Sequence, residues 1–278
     1  MLCWWATWAR VWPGVFGVAR IVPMASQQPD VLPHPGVPVL PRHALVYTVL
    51  ACASVMCLLI ADVVGIKLFQ FQLPFSIFGK TTIEHTCGML TFPITFLITD
   101  WVNDYYGKKA ARRIVLISFA MAMGAFGVMQ TARAMPHWDV PFNVSAGAFD
   151  AVFNSASVMY IASLCAYIVG SFADIFLFGL FKRLTKGKHM WVRATGSTIF
   201  SQMIDSFVVT WLAFRVSRQL FPQADGPAAM GMGEVLSTAA TGYTLKFLIA
   251  VGITPLLYLG SGLIARVTGL RPLPPGSR

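Results

Sequence analysis

The chain has 278 residues, 56% of them hydrophobic and 12% charged, with a formal net charge of +10 and a mean hydropathy of +0.66. Soluble domains carry about twice that share of charge, so lipid is the expected solvent for most of the chain. The basic residues lie in short turns and form no continuous patch, which argues against a nucleic-acid partner.

The first 23 residues hold Trp4, Trp5, Trp8 and Trp12 but are broken by Arg10, Pro13 and Arg20, a poor apolar core for a signal peptide. Five prolines follow between 29 and 41. Residues 1–43 are therefore expected to form a flexible leader, over-extended relative to an alternative start at Met24. A hydrocarbon layer of about 30 Å needs about 20 helical residues, and six apolar runs reach that length: Ala44–Ile66, Glu84–Asn103, Ile114–Thr131, Ser155–Phe181, Trp191–Phe214 and Leu236–Ile264. They are continuous, without strict alternation, which predicts helices and rejects a closed barrel. The expected fold is an all-α integral membrane protein, with a six-helix domain over 44–265 and a cytoplasmic tail over 266–278. Between the first two runs, Phe69, Phe71 and Leu73 alternate with Gln70, Gln72 and Pro74, predicting a short extended hairpin over Leu68–Ile77. Trp138, Phe142 and Phe149 suit a loop lying at the membrane interface.

Lys and Arg concentrate in cytoplasmic loops. Lys108, Lys109, Arg112 and Arg113 join runs two and three; Lys182, Arg183, Lys186, Lys188 and Arg193 join runs four and five. Arg42 precedes run one, and Arg266 and Arg271 follow run six. Both termini are thus expected in the cytoplasm. Cys3, Cys52, Cys57, Cys87 and Cys165 show no metal-ligand spacing and read as small packing residues; no metal or cofactor is expected.

Ionisable side chains inside a membrane cost a few kcal/mol each, so they are functional candidates. At 1.5 Å per residue, Asp174 lies about 10 Å from the cytoplasmic end of its helix and Asp205 about 20 Å from its own; Lys246 falls between in depth. A buried ammonium stays charged beside a carboxylate, so Lys246 is expected to pair with Asp205 or Asp174. Thr198, Gln202 and Asp205 recur at helical steps, as do Tyr167, Gly170, Ser171 and Asp174, while Gly242, Tyr243 and Lys246 share one side of the last run. A cavity lined by amides, hydroxyls, carboxylates and rings suits a flat polar heterocycle; the competing explanation is interhelical hydrogen bonding that only glues the bundle. Asp100 and Asp104 sit at the cytoplasmic end of run two, before Gly107 and its basic turn. One of them, pairing with an arginine, would lock that turn as a gate or as scaffolding, with Asn103, Arg112 and Arg193 around it.

Phe92-Pro93-Ile94-Thr95-Phe96-Leu97-Ile98-Thr99-Asp100, followed by Asn103-Asp104-Tyr105-Tyr106-Gly107-Lys108-Lys109-Ala110-Ala111-Arg112, resembles the signature of the vitamin uptake transporter family, also called the queuosine precursor transporter family. The likeness continues in Ile161–Tyr167 with Asp174, in Trp191-Val192-Arg193 with Gly196, Ser197, Thr198, Gln202 and Asp205, and in Tyr243-Thr244-Leu245-Lys246 with Pro255 and Tyr258. It departs at Asp104, where the family has Glu, and at Ala194 or Thr195, where it has Asn. The resemblance implies a multi-pass protein of the bacterial inner membrane, similar in architecture to the substrate-binding components of vitamin transporters. Such a protein imports deazaguanine precursors of the tRNA base queuosine, and the implied partners are that substrate and the bilayer, with a homodimer left open.

On that reading Asp174, Gln202, Asp205, Lys246, Tyr167 and Tyr243 are the substrate-binding candidates, a carboxylate taking the N–H and amino edge and Gln202 the carbonyl. Arg193 anchors the start of its helix. The alternatives are a substrate-binding subunit of a multi-component transporter and a dimeric proton-coupled carrier of another small polar molecule. An enzyme is not expected: the Tyr-Asp and Gly-x-Gly-Asp motifs of aspartyl intramembrane proteases are missing, and no His lies mid-helix to serve a serine nucleophile.

Overall fold

The structure, a computed structural model, describes residues 40–77, 80–153, 155–220 and 228–275; the leader expected over 1–43 lies outside them up to residue 39. Pro41 precedes α1 (Arg42–Val64), which suits a residue with no amide to donate. The chain then makes an antiparallel hairpin of β1 (Leu68–Ile77) and β2 (Lys80–Thr86), pairing Leu68 with Thr86 and Gln72 with Thr82. The expected strand is there, and its partner is the start of what the apolar pattern assigns to a second spanning helix.

That second run is the main difference between expectation and structure. It divides into β2, a 3-10 turn at Cys87–Leu90 and α2 (Phe92–Tyr105), a helix of 14 residues. At 1.5 Å per residue α2 covers about 21 Å, short of the bilayer core. The physical reason is local. Thr81, Thr82, Ile83 and Thr86 favour strand, and Pro93 lacks an amide hydrogen, so a helix can begin there but not run through it. A Cβ on Gly88 would stand 2.5 Å from the carbonyl oxygen of Ala61, so the 3-10 turn rests directly on the end of α1. Thr91 Oγ1 donates to the Cys57 carbonyl at 3.0 Å and fixes that contact.

Gly107, at φ +87°, turns the chain into α3 (Lys108–Ala134). A short α4 (Ala146–Phe153) and the long α5 (Ser155–Leu184) follow. Then comes α6 (Met190–Trp211), continued by a π turn at Leu212–Val216 and a last helical turn at Ser217–Leu220. The expected sixth helix is also divided. α7 (Met232–Gly252) stops at Ile253 and α8 (Thr254–Thr268) restarts with Pro255 in its first turn, the proline removing one backbone donor at the break.

Five helices among the described residues are long and apolar enough to cross a membrane: α1, α3, α5, α6 extended to Leu220, and α7. Their outward faces carry large apolar side chains such as Val49, Met121, Phe176, Phe200 and Leu248, as lipid contact requires. The inner face of the bundle packs Leu58, Val102, Ile114, Val115, Leu164 and Ile175, with Phe178 and Leu257 in a second cluster. α2 is buried on nearly all sides and joins α8: Trp101 Nε1 donates to the Leu257 carbonyl at 3.0 Å and the Tyr105 hydroxyl to that of Ser261 at 3.0 Å. Several ends of the chain meet at one end of the bundle. The Tyr106 hydroxyl donates to the His43 carbonyl at 2.8 Å, Tyr47 to the Ala110 carbonyl at 3.2 Å, and the Leu273 amide to the Asp104 carbonyl at 2.9 Å.

Candidate functional site

Apolar packing accounts for most of the bundle, but one seam between α2, α5 and α6 is polar and buried. α5 and α6 run antiparallel and close: a Cβ on Gly170 would lie 3.1 Å from the Asp205 Cβ, and Ser201 Oγ donates to Asp174 Oδ1 at 3.0 Å. Glycine at 170 is what lets the Asp205 side chain sit between the helices. Asp174 and Asp205 are therefore about one turn, or 6 Å, apart along the seam.

The seam has three levels. Nearest the hairpin, Lys246 Nζ on α7 reaches Asp205 Oδ2 at 2.5 Å, with the ammonium 5.4 Å from the centre of the Phe92 ring, close enough for a cation–π attraction. Asp205 thus takes the lysine and Asp174 does not, settling the two pairings left open by helical spacing. His85 on β2 lies against Gly242, where a Cβ would come within 3.6 Å of its ring; its Nδ1 accepts the Thr86 amide at 2.9 Å. Next to this level, Gln202 is 4% exposed and its amide has no hydrogen-bond partner among the described residues. An amide with neither its oxygen nor its nitrogen engaged can offer one acceptor and two donor hydrogens.

At the middle level Asp174 Oδ1 accepts from Ser201 Oγ at 3.0 Å, while its Oδ2 and Asp100 Oδ1 on α2 are buried without a hydrogen-bond partner among the described residues. Asp100 is 2% exposed. It faces the interior, not the basic turn as its position in the sequence suggests, and no arginine bonds to it. Asn103 bridges α2 to the Ile175 carbonyl at 3.3 Å.

The third level is the charged lock expected near the turn, with different partners. Asp104, fully buried, accepts Lys182 Nζ at 2.7 Å on one oxygen and Arg193 Nη2 at 2.6 Å on the other. Arg193 also donates to the Gly187 carbonyl at 3.0 Å and stands 5.5 Å from the Phe178 ring centre. That bond ties the start of α6 to the turn before it, from a buried position. Arg112 is exposed and makes no ion pair among the described residues.

Two expected site residues stand apart from the Asp205–Lys246 pair. Tyr167 is 1% exposed; its hydroxyl lies beside Ser54, Ser118 and Ser171, and only its ring, edge-on to Phe92 at 6.5 Å, approaches the pair. Tyr243 packs on Phe247 of its own helix at 6.3 Å. Lys182, His85 and Phe92 belong to the seam and escape helical-spacing arguments, since each comes from the last turn of a helix, a strand or a helix start. One cavity lies away from the seam, lined by Asp62, Phe126, Gln130, Phe153 and Tyr160, and another lies beside its charged level, lined by Asn103, Gly107, Lys108, Lys182 and Pro274; neither is lined by Asp174, Gln202, Asp205 or Lys246.

A family model described as "Putative vitamin uptake transporter" matches residues 86–260, the stretch that holds all three levels. The chain is 31% identical over 200 residues to the "Probable queuosine precursor transporter" of Haemophilus influenzae, covering 66% of this chain and 77% of that protein. It is 29% identical over 184 residues to the "Queuosine precursor transporter" of Escherichia coli, covering 66% and 74%. With the Bacillus subtilis "Probable queuosine precursor transporter" it shares 26% over 189 residues, covering 68% and 75%. No solved structure matches it. By the extent of that match and the apolar helices that frame the seam, the chain is a multi-pass membrane protein belonging to the vitamin uptake transporter family.

Proposed function

We propose that the chain is an inner-membrane importer of queuosine precursors, carrying 7-deazaguanine bases to the cytoplasm for tRNA queuosine salvage. The names of its relatives support the substrate, and one observation carries the site: the amide of Gln202, without a hydrogen bond among the described residues, one helical step from the buried Asp205–Lys246 pair. A deazaguanine offers an N–H and an amino group to a carboxylate, a carbonyl to an amide, and a flat face to a ring. Asp205, Gln202 and Phe92 supply those three partners, and Lys246 holds the Asp205 side chain in place through its Oδ2. Asp174 stands one turn further along.

The same reading assigns six crossings and cytoplasmic termini. α2, preceded by the hairpin, makes the second crossing, and α7 with α8 the sixth. The meeting of His43, Tyr106 and Leu273 at the basic end of the bundle supports it, because that end is the cytoplasmic one by the distribution of Lys and Arg. Transport leaves no bond of the substrate altered, so catalysis forms no part of it.

The test is queuosine in the tRNA of a bacterial host lacking both synthesis and its own importer, fed each precursor in turn. Rescue by this gene, and its loss in Lys246→Met at equal membrane abundance, is expected. An abundant chain that rescues with none of the precursors overturns the assignment.

A further inference from the structure

At the end of the bundle away from the basic turns, one carboxylate has no part in the seam. Asp62 of α1 is 8% exposed. Its Oδ1 accepts the Ser163 hydroxyl of α5 at 3.1 Å, whereas Oδ2 is buried with no hydrogen-bond partner among the described residues. No cationic side chain pairs with it among them either: Arg133, in the last turn of α3, gives one nitrogen to Asp150 at 3.0 Å and another to Gln130 Oε1 at 2.6 Å. Asp62 lines a cavity of about 10 Å³, the room one water-sized guest needs, with Gln130, Ser157, Tyr160 and the rings of Phe126 and Phe153. Ser157 Oγ accepts Gln130 Nε2 at 2.7 Å and donates to the Phe153 carbonyl at 2.8 Å; the Tyr160 hydroxyl donates to the Ala122 carbonyl at 2.9 Å. Both hydroxyls have spent their hydrogens, so each can meet a guest only as an acceptor.

We propose that Asp62, with the hydroxyls of Ser157 and Tyr160, forms a binding site for a monovalent cation, sodium by its abundance in the outer water. An unpaired carboxylate within a spanning helix is costly. A proton would cancel its charge but leave the cavity and its oxygens without a guest, and a water would fill the cavity but leave the charge. A small cation does both. Calcium-type ions take about six to eight oxygens, several of them from carboxylates, whereas one carboxylate with two hydroxyls suits a single charge. The ion also bears on the proposed substrate. It ties α1 to α5 beside Ala61, whose carbonyl oxygen would lie 2.5 Å from a Cβ on Gly88 in the turn that leads to Phe92. Ser163 stands one helical turn before Tyr167, whose ring meets Phe92 edge-on at 6.5 Å. Both sides of the Phe92 ring assigned to the substrate's flat face are therefore steadied, and sodium should tighten substrate binding. That consequence rests on the transport reading above; the ion site does not.

Thermal unfolding of the purified full chain without substrate, with sodium chloride replacing choline chloride at constant ionic strength, tests the ion alone. The wild-type midpoint should rise by a few degrees and saturate, as for any ligand of the folded state. Asp62→Asn keeps the side-chain shape and an oxygen for Ser163, and should lose the rise. Ser157→Ala removes one oxygen, and should need about tenfold more sodium for half the effect. A wild-type midpoint indifferent to sodium overturns the site, a rise that persists in Asp62→Asn places the ion elsewhere and does the same, and an unmoved sodium requirement in Ser157→Ala overturns the ligand set even if Asp62→Asn fails to fold. Binding of labelled deazaguanine to the same protein, in sodium and in choline, tests the consequence. Equal affinity in both salts overturns the link to the substrate, whereas no binding in either strikes the transport reading and leaves the ion site to stand or fall by the unfolding data.

Discussion

Asp104→Asn is the substitution whose cost is easiest to work out from the structure. The two oxygens of Asp104 are shared between Lys182 at 2.7 Å and Arg193 at 2.6 Å, with side-chain exposures of 0%, 8% and 4% for the three residues. An asparagine keeps the volume but removes the charge, stranding two cations with no other carboxylate in contact. Breaking a buried pair by removing one partner costs about 3–5 kcal/mol, and two stranded cations place this variant at the upper end. Lys182→Met is a milder change, because Asp104 keeps Arg193 and only one charge-assisted hydrogen bond is lost, about 1.5–3 kcal/mol. Combining the two should cost less than Asp104→Asn alone, since one of the stranded cations is gone. The assay is thermal unfolding of the detergent-purified chain followed by loss of monodisperse protein. Asp104→Asn is expected to fall on the order of 10 °C, with the double variant between it and Lys182→Met. Equal losses for Asp104→Asn and Lys182→Met would refute the shared-carboxylate account, and an additive double variant would show that the two cations do not compete for it.

Three further outcomes follow from the same contacts. Asp205→Asn and Lys246→Met each remove one charge-assisted bond near the proposed substrate, so precursor uptake should fall about 10- to 100-fold at equal abundance; wild-type rates in both would remove the pair from the site. Gln202→Leu takes away an amide without a hydrogen bond among the described residues, so thermal stability should hold or rise while uptake falls; a clear loss of stability would mean that the amide is structural. A Cβ on Gly260 would stand 2.0 Å from the Trp101 ring, whereas one on Gly262 meets nothing within 4 Å. Gly260→Ala should therefore cost about 1–3 kcal/mol by overpacking and Gly262→Ala nothing measurable in the same unfolding assay.

How much of this is legible in the sequence depends on how local the cause is. Hydropathy locates α1, α3, α5, α6 and α7 because each alone fills a bilayer, and the Phe/Gln alternation after Lys67 locates β1 because strand period is a property of neighbours. The same measure fails at Glu84–Asn103, where apolar strand, turn and half-helix share one average composition and only Gly88 and Pro93 hint at the joints. A carboxylate beside Lys246 is anticipated because a lone ammonium in lipid needs one, but whether Asp205 or Asp174 takes it is not. That Asp100 turns inward, and that Lys182 joins Arg193 on Asp104, depends on the rotation of α2 against α5. Rotation is fixed by tertiary bonds such as Asn103 to Ile175 and Trp101 to Leu257, which no single-segment pattern encodes.

The bonds from α2 to α8 are one-sided. Trp101 and Tyr105 give side-chain hydrogens, while Leu257 and Ser261 receive them on main-chain oxygens. A carbonyl is present whatever residue carries it, so the receiving positions on α8 are free to change their side chains without losing the tether, provided that the helix itself survives. The donating positions have no such freedom: phenylalanine at either would remove the tether, leaving the carbonyl only its own helical hydrogen bond. Variation between relatives should therefore fall unevenly across this contact, wide on one helix and narrow on the other, even though both halves are equally involved in holding it.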